Sequence, residues 1–87
     1  MAVVRLRGAL KNRAGDRPQH DVAGGSVRDV LRELERANPA MDGWILDERG
    51  LIRRHINVFV NGELGGLETA VADGDRVDVL PAISGGS

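Results

Sequence analysis

The amino-acid sequence predicts an α+β fold, in which one main helix packs against a mixed sheet of four to five strands. Two kinds of periodicity support this prediction. Apolar residues recur every three or four positions between residues 27 and 37, which is typical of an amphipathic helix. Shorter segments near the start, the middle and the end of the chain instead alternate between apolar and polar residues, as strands do.

The N-terminal part is predicted to form a hairpin. In residues 2–7, Val4 and Leu6 share one face and Arg5 and Arg7 the other, which predicts a half-buried strand. Residues 8–18 are polar and contain a Gly-Asp turn pair, so a loop is expected there. Residues 19–22 are interpreted as a weaker second strand.

The main helix is predicted to begin after Ser26, a suitable N-cap. Asp29 lies where a capping box and the helix dipole both favour an acidic residue. The helix should end before Pro39, because a residue that precedes proline avoids the helical conformation. Its charged face is interpreted as solvated surface rather than as a partner-binding face. That face is expected to carry Arg28, Arg32, Glu33, Glu35 and Arg36.

A short helical turn is expected after this helix, because Met41, Trp44 and Ile45 follow helical spacing. Trp44 should then lie at the edge of the core, and a role as a ligand platform is the weaker alternative. Residues 47–50 are a predicted turn. Residues 51–54 fit either a loop or a short edge strand.

The C-terminal half contains the two clearest strands. In residues 55–60, three β-branched residues share one face, while Asn57 and Phe59 share the other. Turns are expected at residues 61–62 and 72–75. The last strand, residues 76–80, carries Leu80 on its outer face. Pro81 should end this strand, because it has no N–H to donate to the sheet.

The resulting order is strand, strand, helix, strand, short strand or turn, strand. This is the order of a β-grasp, ubiquitin-like domain, in which the first and last strands can pair in parallel. We therefore expect a β-grasp domain over residues 1–80 and a flexible C-terminal tail over residues 81–87.

Composition argues against several classes of function. The formal net charge is −1, without the basic excess of a general nucleic-acid binder, and two aromatic residues cannot form a base-stacking platform. The absence of cysteine excludes disulfides and thiolate metal sites. No signal peptide or membrane span is evident, so a cytoplasmic protein is expected. No phosphate loop, zinc-protease motif or catalytic triad is recognisable, so neither catalysis nor a cofactor is expected.

The C-terminal segment carries the clearest functional signal. Most residues after Pro81 are small, and Gly85 and Gly86 have no Cβ. Such a segment, including Ile83 and Ser84, can enter a narrow channel of another protein. The only reactive group it offers there is a backbone carboxylate. The competing interpretation is an ordinary frayed terminus.

Two stretches resemble the bacterial sulfur-carrier proteins of the MoaD and ThiS type. They are residues 55–62, HINVFVNG, and residues 66–86, GLETAVADGDRVDVLPAISGG. This family includes the small subunit of molybdopterin synthase, the thiamine sulfur carrier and the cysteine-biosynthesis carrier of the CysO type. The resemblance is closest to the cysteine-biosynthesis and molybdopterin types. It is dense in the C-terminal third and rests on element order elsewhere.

The resemblance implies a carrier, not an enzyme. An E1-like adenylating enzyme of the MoeB or ThiF type would adenylate the Gly86 carboxylate, and a sulfur donor would convert it into a thiocarboxylate. A cysteine synthase or the large subunit of molybdopterin synthase would then accept the sulfur. In the family the diglycine normally ends the chain, whereas Ser87 follows here. Ser87 is then either an addition from cloning or a native residue that a JAMM-type peptidase removes.

Two further points follow from the residues. The alternative function is a ubiquitin-like protein modifier, or a non-catalytic interaction module, for which Lys11 is the sole lysine acceptor on the chain itself. Strand alternation also predicts that Phe59 and Leu80 form an exposed apolar spot that binds a partner, with Arg5 adding electrostatic steering. In the competing interpretation, residues 51–54 fold over Phe59 and bury it.

Overall fold

The computed structural model describes residues 1–81. The strands are β1 (Ala2–Leu6), β2 (Gln19–Val22), β3 (Ile56–Val60), β4 (Glu63–Leu64) and β5 (Arg76–Pro81). The helices are α1 (Ala9–Arg13) and α2 (Val27–Ala37), and a single 3-10 turn spans Pro39–Met41.

The strands form one mixed sheet in the order β2-β1-β5-β3-β4. The central pair, β1 and β5, is parallel, with Val4 opposite Val77. The other three pairings are antiparallel. One main helix on one face of this sheet is the predicted α+β, β-grasp architecture, which is therefore confirmed.

The core lies between the sheet and α2. Alternate residues of β1, β3 and β5 point into it, and fully buried residues of α2 at helical spacing meet them. Ser26 caps α2 as predicted: its Oγ accepts a hydrogen bond of 3.2 Å from the Asp29 amide. The central core residues include Val4, Leu6, Val30, Leu31, Leu34, Val58, Val77 and Val79.

Helix α1 was not predicted, since residues 8–18 were expected to be a loop. Gly8 turns the chain out of β1 with a φ of 61°, a conformation that suits glycine. Leu10 and Ala14 are then buried, at 2% and 3% exposure. The helix has only five residues, too few to show a helical period among polar neighbours.

Glu35 was wrongly placed on the solvated face of α2. It is only 8% exposed, and its Oε2 accepts hydrogen bonds of 3.0 Å from the amides of Ile45 and Leu46. The carboxylate thus supplies acceptors to a loop that contributes two buried side chains to the core.

Smaller differences concern the ends of the strands. β5 includes Pro81, which pairs in register with Ile56, so the strand ends one residue later than expected. Proline is tolerated there because the end of a strand lacks further ladder bonds. Residues 63–64, after the predicted turn at 61–62, form the short strand β4. Residues 51–54 contribute one isolated bridge, between Leu46 and Ile52.

Candidate docking face and C-terminal strand

The candidate site is the outer face of the sheet, on the side away from α2. Because β3 and β5 are antiparallel neighbours, Phe59 lies opposite Asp78 and Asn57 opposite Leu80. Phe59 and Leu80 are therefore diagonal neighbours on one face, within reach of each other's side chains. Together with Arg7, Gly62 and Asp78 they line a shallow depression of about 280 Å³. Both apolar residues are half-buried.

Leu64 enlarges this apolar surface and was not predicted to belong to it. It lies directly opposite Phe59 across the β3–β4 pair and is 70% exposed. Residues directly opposite in an antiparallel pair project to the same face. The Asn-Gly turn pair was the available signal, because a hairpin there returns the chain beside Phe59.

Residues 51–54 pack against residues 43–46 instead of folding over Phe59, as the competing interpretation had it. Ile52 bridges to Leu46 and packs against the core. The Arg53 amide donates to the Ile45 carbonyl at 2.9 Å, and the Arg53 guanidinium donates to the Gly43 carbonyl. These bonds hold the segment against residues 43–46.

Charged residues border the apolar surface on the β1 side. The Asp78 carboxylate lies between two arginines, with Oδ2 3.1 Å from Arg76 Nε and Oδ1 3.7 Å from Arg5 Nε. The longer distance exceeds hydrogen-bonding range, and no donor among residues 1–81 satisfies that Oδ1. Arg5 thus keeps hydrogen-bonding capacity for another partner. It remains about 39% exposed at its side chain.

The turn that precedes β5 is fixed by Asp75. Its Oδ2 accepts a hydrogen bond of 2.8 Å from the Ala72 amide. That bond is the largest reason why the pKa of the Asp75 carboxyl lies below its ordinary value, and the Asn61 side chain is the second. Asn61 in turn accepts from the Arg76 amide at 2.9 Å. The start of the strand that leads to the C-terminus is therefore well anchored.

Trp44 was expected at the edge of the core, but it is 39% exposed and is not among the core residues of the described chain or the partly buried residues packed against them. The Arg13 guanidinium stacks on its ring at 4.1 Å from the centroid, a cation–π contact. One ring face is therefore occupied by the chain itself.

The predicted tail residues Ile83, Ser84, Gly85 and Gly86 lie outside the described residues, as does Ser87. Over residues 1–81, no group of three or more metal-ligating side chains is close enough to hold an ion. In the same part of the chain, neither helix is long and apolar enough to cross a membrane.

The sheet order and the single main helix define a ubiquitin-like β-grasp protein. Comparison with known proteins narrows this class. The chain belongs to the ThiS family, whose model matches residues 4–86. The family is one of ubiquitin-like sulfur carriers, as the sequence resemblance implied.

Individual relatives agree with this assignment. The sulfur carrier protein CysO of Mycobacterium tuberculosis is 34% identical over 83 residues, which cover 88% of this chain and 89% of CysO. Small archaeal modifier protein 1 of Haloferax volcanii is 40% identical over 67 residues, covering 76% and 77% of the two chains. Among solved structures, the CysO in the BexX/CysO complex of Amycolatopsis orientalis superimposes with a TM-score of 0.87, at 29% identity, over 98% of this chain and 99% of that chain.

Proposed function

We propose that this chain is a sulfur carrier whose Gly86 carboxylate is activated and converted into a thiocarboxylate. The main support for this proposal is that the family match runs to residue 86 and so ends on the Gly85-Gly86 pair. The similarity to a named sulfur carrier over nearly the whole chain supports the proposal. The chain supplies the acyl group, and partner enzymes supply the catalysis.

The proposed chemistry has two steps. A Gly86 carboxylate oxygen attacks the α-phosphorus of ATP, and pyrophosphate leaves. Sulfide then attacks the carbonyl carbon of the acyl-adenylate; the C–S bond forms, the C–O bond to AMP breaks, and AMP leaves. Adenylation is needed because a carboxylate oxygen is a poor leaving group, whereas AMP is a good one. Two consecutive glycines suit this reaction because no side chain obstructs a narrow active site.

Activation of Gly86 requires a free Gly86 carboxylate. Ser87 follows Gly86 in this sequence, so the proposal requires that Ser87 be absent from the activated form. A JAMM-type peptidase would be a suitable enzyme to remove it. The test compares the full-length chain with a chain ending at Gly86, each incubated with an E1-like enzyme, ATP and sulfide.

Two measurements decide the result. Only the shorter chain should support ATP–pyrophosphate exchange, and only its intact mass should rise by the difference between one sulfur and one oxygen atom. Equal exchange by both chains would contradict the role of Gly86. A chain ending at Gly86 that never gains this mass would contradict the sulfur-carrier proposal itself.

The docking surface for the activating enzyme is proposed to be the outer sheet face. Phe59 and Leu80 supply its apolar centre, and Leu64 extends it. Arg5 supplies charge at its edge. The surface lies on β5, the strand that leads directly into the C-terminal segment, so an enzyme bound there is close to the residues it must receive. A relative, CysO of Amycolatopsis orientalis, has been solved in a complex with BexX, which supports a protein partner for this chain.

The candidate partners after activation are a cysteine synthase or the large subunit of molybdopterin synthase, to which the thiocarboxylate would deliver sulfur. A second function is favoured by a specific observation: two small archaeal modifier proteins are each 40% identical to this chain over 65 and 67 residues. In that case Gly86 would form amide bonds with lysines of other proteins. Conjugates formed in a cell lysate containing ATP, without gain of sulfur mass, would support the modifier.

A further inference from the structure

A basic depression lies where β1 passes into α1. It has a volume of about 330 Å³ and is lined by Arg5, Arg7 and Lys11 together with Leu6, Gly8 and Pro18. Its three charged residues are all cations, and no carboxylate belongs to its lining. The other large surface depression of this face, beside Phe59, includes Asp78.

The charges of this depression are largely uncompensated. Among the ion pairs of residues 1–81, none involves Arg7 or Lys11. Arg5 pairs only loosely with Asp78, with 3.7 Å between Arg5 Nε and Asp78 Oδ1. Elsewhere some arginines are closely paired, such as Arg28, 2.6 Å from Glu68, and Arg36, 2.7 Å from Glu33, whereas others, including Arg32, have no ion pair among residues 1–81. Cations left without partners in a concave surface attract anionic groups from outside the chain.

The depression adjoins the last described residue of the chain. Gly8 lies on its wall, and the Cγ of Pro81 is 3.7 Å from the position that a Cβ on Gly8 would take. Arg7 lines both this depression and the apolar one beside Phe59. The basic and apolar surfaces are therefore continuous, and both border the end of β5.

We propose that the Arg5-Arg7-Lys11 depression docks an acidic segment, carrying aspartate or glutamate carboxylates, of the enzyme that receives the C-terminal residues. This inference rests on the proposed function for the identity of the enzyme. An enzyme that holds the C-terminal segment lies close to Pro81, which borders this depression. Arginine and lysine side chains in a concave surface bind carboxylates through charge-assisted hydrogen bonds. The apolar surface then supplies affinity, and the basic depression supplies orientation and association rate.

The first experiment does not require the enzyme. A short polyglutamate peptide is titrated into the isotope-labelled chain, and amide chemical shifts are followed by NMR. The expected shifts centre on Arg7, Gly8 and Lys11 and disappear in Lys11→Glu. Lys11→Arg keeps the charge and should retain them. Shifts of equal size around the cationic residues of α2 would overturn the proposal. So would inorganic phosphate if it bound the depression in preference to polyglutamate.

The second experiment measures association with the E1-like enzyme by stopped-flow. Arg7→Glu and Lys11→Glu should each slow association about tenfold at low salt, and the difference should shrink as salt screens the charges. The control is Arg32→Glu, which makes the same charge change at an exposed position of α2, where Arg32 also lacks an ion pair among residues 1–81. Equal rates for Lys11→Glu and Arg32→Glu would overturn the proposal.

The outcomes separate the two hypotheses. A chain ending at Gly86 that gains no sulfur mass rejects the sulfur-carrier proposal, whereas the peptide titration still tests the acidic ligand. Normal sulfur transfer with no charge effect on association rejects only the basic docking surface. Thermal melts of each variant confirm that α1 and the fold persist, and Lys11→Gln provides a neutral variant if Lys11→Glu is unstable.

Discussion

Phe59→Ala should weaken binding to the activating enzyme far more than it weakens folding. Phe59 is half-buried in the free chain and lies beside Leu80 and Leu64 on the outer sheet face. Its exposed part would be covered only when a partner docks. The same substitution at an inner-face residue should produce the opposite result.

The magnitudes follow from these burial states. Full burial of a phenylalanine contributes about 1.5–3 kcal/mol, so loss of a half-buried ring should cost the fold about 1 kcal/mol. In a domain of this size, that corresponds to a fall in Tm of about 4–8 °C. Truncation of an aromatic hot spot costs about 2 kcal/mol or more in binding, which is about a thirtyfold rise in Kd.

Val58→Ala is the matched control. Val58 is adjacent in β3 but faces the core, at 1% exposure. Its truncation should cost the fold about 2 kcal/mol and leave the Kd of the folded protein unchanged. Isothermal titration calorimetry gives the Kd of each variant, and thermal melts give the stability. If Phe59→Ala loses more stability than Val58→Ala while its Kd is normal, Phe59 is a core residue and the docking site lies elsewhere.

Two further predictions concern stability. Glu35→Ala should cost about 3 kcal/mol, because it leaves the buried amides of Ile45 and Leu46 without an acceptor; a urea titration that gives a cost below about 1 kcal/mol would argue against this anchoring role. Asp75 has a lowered pKa in the folded state, chiefly because its carboxylate accepts a hydrogen bond from the Ala72 amide. Its contribution to folding stability is therefore complete above the unfolded-state pKa of about 4 and is lost as pH falls through the folded-state pKa. Asp75→Asn should therefore flatten the acid limb of Tm against pH, and parallel profiles for the variant and the wild type would contradict this.

Much of the fold could be predicted from sequence, because its main elements carry strong periodic signals. Helix α2 shows a helical period and a Ser26 cap, and β3 and β5 alternate along their length. The alternation in β3 and β5 also placed Phe59 and Leu80 on the face away from the core. The continuous match to a known C-terminal pattern identified the family. These are local properties, and each is contained within one segment.

Other features depended on contacts between distant segments. Helix α1 is too short for a periodic signal and forms because the core accepts Leu10. Glu35 is buried only because residues 45 and 46 return to it with two free amides. The hairpin return placed Leu64 beside Phe59.

The sequence by itself determined the types of the main elements, the inner and outer faces of the strands and the family. The tertiary structure alone decided that Arg7 and Lys11 share one depression beside Pro81. No single element relates these residues, because Arg7 follows a strand, Gly8 turns the chain and Lys11 lies in a five-residue helix. Their proximity follows from the packing of α1 against the end of β5. Periodicity reports the environment of one segment, whereas a site assembled from several segments depends on how they pack.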